Sequence, residues 1–339
     1  MTRRMGVFVC IVLALAAGLT IGGAAKTVVD QLGNAVEVPE SISRLASVYG
    51  IGTFYVYALG QGDRIVAGWY VGIKTVEKAT DAMLRLEPRL PEILLSGDPN
   101  IEEICLLDPD LILCDWTENA AFAEQAMLIG IPVIQYEAET PVAIKELIGI
   151  TADVFSEEAV ATADAFTADY DRVFRAVTAS VAALPEDERV RVLYIGTGTD
   201  RVASGDMYQR HLIEAAGGVC VSSDLIGSWN TVGLEQILVW NPDVIVIAPY
   251  GVVQAADVLD DSNWQAIGAV QSGRVYKMPR LFAPWDTPVP ESILGVAWMA
   301  EQFYPGVSSI DFDAEVLHFY TDYYGFELTD DDWAVLRGE

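Results

Sequence analysis

Short, continuous apolar runs recur along this chain, separated by amphipathic stretches. Arg44–Tyr49, Arg64–Gly68, Leu111–Asp115 and Pro132–Tyr136 read as strands, and Thr53–Leu59, Ile101–Leu107 and Ala120–Ile129 read as the helices between them. Ahead of these, Thr27–Pro39 alternates as a short hairpin does. From Ser156 to about Leu184 a helical pattern runs without Gly or Pro, opened by Ser156 as N-cap with Glu157 and Glu158 in its first turn, and stopped at Pro185. At 1.5 Å per residue that is a rod of about 40 Å, enough to pass from one lobe to another. A second α/β series follows, with strands at Val190–Ile195 and Arg274–Met278 and a helix over Val289–Phe303. The aromatic, acidic stretch from Ser309 onward is expected to pack as one or two short helices.

One helix-strand unit occurs twice. Residues 100–115 and 233–248 each hold an amphipathic helix, a Pro-Asp stop and a buried-strand run. The offset is 133 positions throughout, and Glu102/Glu235, Ile104/Ile237, Pro109/Pro242, Asp110/Asp243 and Ile112/Ile245 coincide. A long period used only twice indicates two similar lobes rather than a solenoid. The expected fold class is therefore α/β, with two Rossmann-like lobes joined by a single long helix and a ligand cleft between them. The expected division is a leader or anchor at 1–25, a first lobe at 26–150, a linker helix at 151–188, a second lobe at 189–308 and a helical acidic tail at 309–339.

Composition narrows the partners. A formal charge of −29 argues against nucleic acid and anionic membrane surfaces, which would repel it. Arg3 and Arg4, the uncharged apolar run Met5–Ile21 and the small residues Gly23, Ala24 and Ala25 form an export signal, so the chain is expected on the periplasmic or extracellular side. The same run is near bilayer-spanning length, which leaves an uncleaved anchor open. Cys10 lacks the small residue that a lipoprotein site needs just before it, and Cys105, Cys114 and Cys220 show no metal-like spacing.

Ligands of open α/β sheets bind beyond the carboxyl ends of the strands. Those loops offer Tyr49, Trp69, Tyr70, Asp115 and Trp116, with Glu137 and Glu139, in the first lobe. In the second they offer Thr197, Trp229, Tyr250, Phe282, Trp285 and Asp286. So many aromatics in loops suggest a stacking surface. Asp115, Glu137, Glu139 and Asp286 would disfavour an oxyanion unless Arg201, Arg280 or Lys74 faces the cleft. Two histidines, no Gly-x-Ser-x-Gly elbow and no Walker lysine make an enzyme, a metal site or a cofactor site an unneeded assumption.

Several segments, in order, resemble the ABC-transporter solute-binding proteins that deliver iron chelates, haem and cobalamin. They are the hairpin at 27–39 with Arg44, the two repeated units, Val190–Ile195 followed by 212–218, Gly273–Tyr276, and 285–295. The resemblance covers nearly the whole mature chain and implies a binding protein, not an enzyme, that hands an iron(III) chelate (siderophore) or corrinoid to a permease and its ATPase subunits. It also implies that Glu102 and Glu235, one per lobe, dock on permease arginines, although first-turn helix stabilisation would by itself account for glutamates there. Trp229 matches a pocket tryptophan of the cobalamin-binding members. The alternatives are a molybdate or tungstate receptor of the same fold and, from another class, an exported metal-dependent hydrolase.

Overall fold

The computed structural model describes residues 24–338, so the leader expected at 1–25 lies, up to residue 23, outside the described residues. The chain opens with an antiparallel hairpin, β1 (Ala25–Val29) and β2 (Ala35–Pro39), whose turn is closed by Asp30 accepting from the Asn34 backbone N–H at 2.8 Å.

The first lobe is a four-stranded, wholly parallel sheet built from β3 (Leu45–Ser47), β4 (Ile65–Gly68), β5 (Leu111–Asp115) and β6 (Val133–Tyr136), in the order β4-β3-β5-β6. Every residue of β5 and β6 is buried, because helices cover both faces of a parallel sheet and leave no wet side for alternation. The second lobe contains β7 (Arg191–Ile195), β8 (Arg201–Val202), β9 (Val219–Cys220), β10 (Asn230–Thr231), β11 (Val244–Ile247) and β12 (Val275–Lys277). Its order is β10-β8-β7-β11-β12, with β9 pairing the start of β7; β8 runs antiparallel to both β7 and β10, and the other pairings are parallel.

Between the sheets runs the helix Glu157–Val181, 25 residues and about 37 Å long. Ser156 caps it by accepting from the Ala159 N–H, and Ala159, Ala163, Phe166, Tyr170, Val173, Val177 and Val181 form its buried stripe at three- and four-residue spacing. That stripe packs on the helices Pro141–Asp153 of the first lobe and Ser292–Phe303 of the second, so one rod is shared by both cores. Truncating a fully buried ring on it, such as Phe166, would cost about 3–5 kcal/mol. The helix Ser292–Phe303 starts three residues later than the pattern Val289–Phe303 suggests. Pro290 is the reason, since the residue before a proline is driven out of the helical region.

The last segment forms two helices, Phe312–Tyr324 and Asp330–Arg337, which strap the halves together. Glu315 takes a two-pronged contact from Arg172 of the long helix at 2.6 and 2.8 Å. Asp332 pairs at 2.5 Å with Arg85 of the first lobe, whose guanidinium lies over Phe326. Partly exposed pairs of this kind contribute about 0–1 kcal/mol each, so the strap is held mainly by buried Phe319, Tyr320, Tyr323 and Tyr324.

Candidate functional site

A cleft of about 490 Å³ opens between the lobes. Its walls are mostly the loops at the carboxyl ends of the strands. Ile51 follows β3, Val71, Gly72, Lys74 and Lys78 follow β4, and Glu139 follows β6; opposite them stand Thr197 after β7, Trp229 just before β10 and Tyr250 after β11. Met207, Tyr208 and Gln209 bring the start of the helix Tyr208–Ala215, and Thr287 and Pro288 complete the wall.

Trp229 lies flat enough on the Gly196 backbone that a Cβ there would come within 2.6 Å of its ring, so the turn after β7 needs glycine to seat the indole. Tyr250 meets Trp229 edge-on at 6.5 Å and donates its hydroxyl to Asp286 Oδ2 at 3.0 Å. Gln209 Nε2 donates to the same oxygen at 3.2 Å, leaving Gln209 Oε1 and Asp286 Oδ1 buried without a partner. Burial pushes the Asp286 carboxyl up to about 6, and the hydrogen bonds from Gln209, Tyr194 and Tyr250 hold it back from rising further. Glu139 is pushed to about 7, first by burial and then by the neighbouring Glu137 charge, against a hydrogen bond from the Tyr208 backbone across the cleft.

The lobes also touch around the cleft. Arg280 donates to the Gly72 and Lys78 carbonyls at 3.0 and 2.6 Å, Thr80 donates to the Leu281 carbonyl, and Tyr55 donates to the Pro288 carbonyl at 2.8 Å. Gly72 has φ +79 and no room for a Cβ, which would sit 2.9 Å from the Arg280 guanidinium.

The residues singled out from the sequence separate into four groups. Thr197, Trp229 and Tyr250 line the cleft. Tyr49, Trp69 and Tyr70 line an adjoining cavity of about 530 Å³ in the first lobe, which shares Ile51, Val71, Gly72 and Lys74 with the cleft. Tyr70 is nevertheless almost wholly buried, its hydroxyl turned to that of Tyr57 at 2.9 Å. Asp115 and Trp116 line neither cavity: Asp115 Oδ1 holds the Thr117 and Glu118 N–H groups at 2.7 and 2.6 Å, and Trp116 donates to Glu137.

The fourth group corrects the sequence reading. Phe282, Trp285 and Asp286 are each 0% exposed. Phe282 is wrapped edge-on by Tyr320 and Phe326, and Trp285 donates its indole N–H to Tyr320 at 3.1 Å while packing on Phe312. The tail aromatics cover this loop, so neither ring can stack on a ligand. Asp286 acts from beneath the surface, through Tyr250 and Gln209.

Of Asp115, Glu137, Glu139 and Asp286, only Glu139 lines the cleft, and Lys74 and Lys78 stand at its rim. Arg201 turns instead to Thr231, at 3.1 Å. Sequence reasoning passed over Met207, Tyr208 and Gln209. The available signal was the missing cap: Met207 occupies the N-cap position with no side-chain acceptor.

Among the described residues no group of three or more His, Cys, Asp or Glu could hold a metal ion, and no helix is long and apolar enough to cross a membrane. Two α/β lobes, one long connecting helix and a cleft at the strand ends define the long-helix-linked class of solute-binding proteins. A family profile described as periplasmic binding protein matches residues 45–280, and the chain belongs to that family. The molybdate-binding protein MolA of Haemophilus influenzae is 25% identical over 331 residues, covering 88% of this chain and 91% of that protein. An uncharacterized ABC transporter substrate-binding lipoprotein of Bacillus subtilis, YvrC, is 25% identical over 288 residues, covering 82% and 85%. The crystal structure of a periplasmic solute-binding protein from Veillonella parvula superposes with a TM-score of 0.80 at 28% identity, covering 92% of this chain and 97% of that one. The chain is thus a solute-binding protein of the ABC-transporter type, and the relatives are binding proteins rather than enzymes.

Proposed function

We propose that this protein is the extracytoplasmic receptor of an ABC importer, and that its cleft captures a compact, anionic metal complex for delivery to the permease. The observation that carries the reading is the pairing of Lys74 and Lys78 at the rim with Trp229 and Tyr250 on the facing wall, beside a single lining carboxylate held near neutrality. Two ammonium groups at the mouth of a cleft in a chain of charge −29 favour an anion locally against the overall field. The volume lies in the lower half of the range for small-molecule sites and exceeds what a bare tetrahedral oxyanion fills. A ferric chelate with an anionic periphery suits the two lysines better than a corrinoid does. A molybdate-class oxyanion is the second reading, favoured by the MolA relative. Glu102 and Glu235, exposed in the first turns of equivalent helices, are the points proposed to meet basic residues of the permease.

Tryptophan-fluorescence titration against ferric hydroxamate, ferric catecholate, ferric citrate, haem, cobalamin, molybdate and tungstate tests this. The expected result is micromolar or tighter binding of an anionic ferric chelate that weakens with added salt. Binding confined to molybdate or tungstate would select the second reading, and binding confined to cobalamin or haem would remove both.

A further inference from the structure

Beneath the cleft wall lies a carboxyl group with no cation to balance it. Asp286 is 0% exposed and makes no ion pair among the described residues. An unpaired carboxylate is costly to bury, and such a group ordinarily avoids the cost by keeping its proton.

The hydrogen bonds around Asp286 are lopsided. Oδ2 accepts from the Tyr250 hydroxyl at 3.0 Å and from Gln209 Nε2 at 3.2 Å, while Oδ1 accepts from nothing. Gln209, also buried, is used on one side only, because its Nε2 donates and its Oε1 has no donor. The two atoms left over are therefore both acceptors, on the two planar groups that the Nε2–Oδ2 bond already joins. Two acceptors cannot serve each other, but one proton between them satisfies both. A carboxylic acid and a primary amide pair in this way through two bonds at once, N–H to the acid carbonyl and O–H to the amide oxygen. Oδ2 then remains a carbonyl oxygen that still accepts from Tyr250.

We infer that Asp286 is held as the neutral acid, donating Oδ1–H to Gln209 Oε1, and that this acid–amide pair positions Gln209 and Tyr250 in the cleft wall. The titratable and charged groups facing Asp286 are compatible with it. Tyr194 on β7 and Tyr250 after β11 are kept as phenols, first by burial, and Arg280 after β12 spends its guanidinium on the Gly72 and Lys78 carbonyls. Burial carries the Asp286 carboxyl to about 6, and a bond made only by the acid raises it further. The consequence for the solute rests on the reading of the cleft as an anion site. An ionised Asp286 would set a negative charge behind Tyr250, on the wall opposite Lys74 and Lys78, whereas the acid leaves that wall neutral.

Infrared spectroscopy of the protein carrying isotope-labelled aspartate reads the proton directly. Near pH 7 the parent should show the carbonyl stretch of a neutral aspartic acid, and Asp286→Asn should lack it; labelling aspartate alone keeps Glu139 and Glu291 out of the band. Asparagine can make both bonds of the pair without a proton, so Asp286→Asn should melt at or above the parent midpoint at pH 8, by a margin that shrinks toward pH 5. With ferric citrate and molybdate as probes, Asp286→Leu should weaken uptake of whichever the parent binds by about ten-fold or more, and Asp286→Asn should restore it. Absence of the band, as a carboxylate satisfied by a buried water or sodium ion would give, or an Asn variant that melts below the parent at pH 8, would overturn the pair. Parental affinity in the Leu variant would overturn its positioning role. A parent that binds neither probe would overturn the anion reading instead, with the band and the melts still deciding the pair.

Discussion

Asp108 and Asn241, 133 positions apart, are the two non-glycine residues with positive φ among the described residues, at 45° and 41°. They end the two repeated helices and turn the chain into the central strand of each lobe. The surrounding bonds repeat too. The Asp110 and Asp243 N–H groups donate to the Arg44 and Arg191 carbonyls, their carboxylates accept from the Arg44 and Arg191 N–H groups, and each guanidinium reaches back to the end of the helix. A left-handed residue other than glycine is tolerated best as Asn or Asp. Asp108→Gly should therefore leave stability unchanged or slightly raised, whereas Asp108→Val should lower it by about 1–2 kcal/mol. Denaturant melts check this, and equal stability of the two variants would count against it.

Trp229 and Trp285 should respond differently to truncation. Trp229→Ala removes a cleft wall and should weaken ligand binding by about 1–3 kcal/mol with little change in thermal midpoint. Trp285→Ala opens a cavity beneath the tail and should cost about 3–5 kcal/mol of stability while the folded fraction binds normally. Calorimetry for the first and melts for the second decide, and a reversed pattern would return Trp285 to the ligand surface.

Stability should rise as pH falls from 8 toward 5. Asp286, raised to about 6, and Glu139 and Glu291, each raised to about 7, keep their protons in the folded chain after the unfolded chain has lost them. The penalty for charging them is thus present above pH 7 and is relieved between about 7 and 4. His318, raised by Asp169 against its burial, acts in the same direction, while His211, lowered by burial, opposes. The lowered Asp169 and Asp332 lose their contribution only at more acid pH. Glu291→Gln can keep its partners Ala283 and Tyr324, so it should be stabilising at pH 8 and neutral near pH 5. Thermal midpoints of both proteins across this range provide the check, and a parent optimum above pH 7.5 would contradict the account.

Ligand affinity should carry its own pH signature. If Glu139 loses its charge near pH 7, an anionic solute binds more tightly as pH falls through that value, and Glu139→Gln should show tight binding at pH 8 with a flat profile. Titrations at pH 6 and 8 measure it; a variant with the parental slope would place the titrating group elsewhere.

Ligand should change the angle between the lobes only slightly. The 25-residue helix is packed on both cores, and Arg280 and Tyr55 fasten the same halves. Small-angle scattering should find radii of gyration with and without ligand within about 1 Å, unlike hinged receptors that close widely.

The repeat, the linker helix and the alternation of strands with helices were legible because they rest on local periodicity and on residues close in sequence. Thr197 and Tyr250 were legible by position, since they follow strand ends, whereas Trp229 reaches the cleft from just ahead of β10. Phe282 and Trp285 were not, because the rings that bury them, Tyr320, Tyr324 and Phe326, arrive from the tail, and no local pattern records that contact. The charge of the cleft was legible only in part: Lys74 and Glu139 line it, whereas Asp115, Glu137 and Asp286 do not. Whether Asp115 faces a ligand or caps its own loop depends on the Thr117 and Glu118 N–H groups, which composition does not reveal.

The most direct test of the central claim is calorimetric titration of the protein and of its Lys74→Ala, Lys78→Ala double variant with the tightest metal-bearing anion from the panel. The account predicts one site of micromolar or tighter affinity in the parent, weakened at least ten-fold in the variant at unchanged thermal stability. Equal affinity in both proteins, or conversion of the solute to a product during the titration, would contradict it.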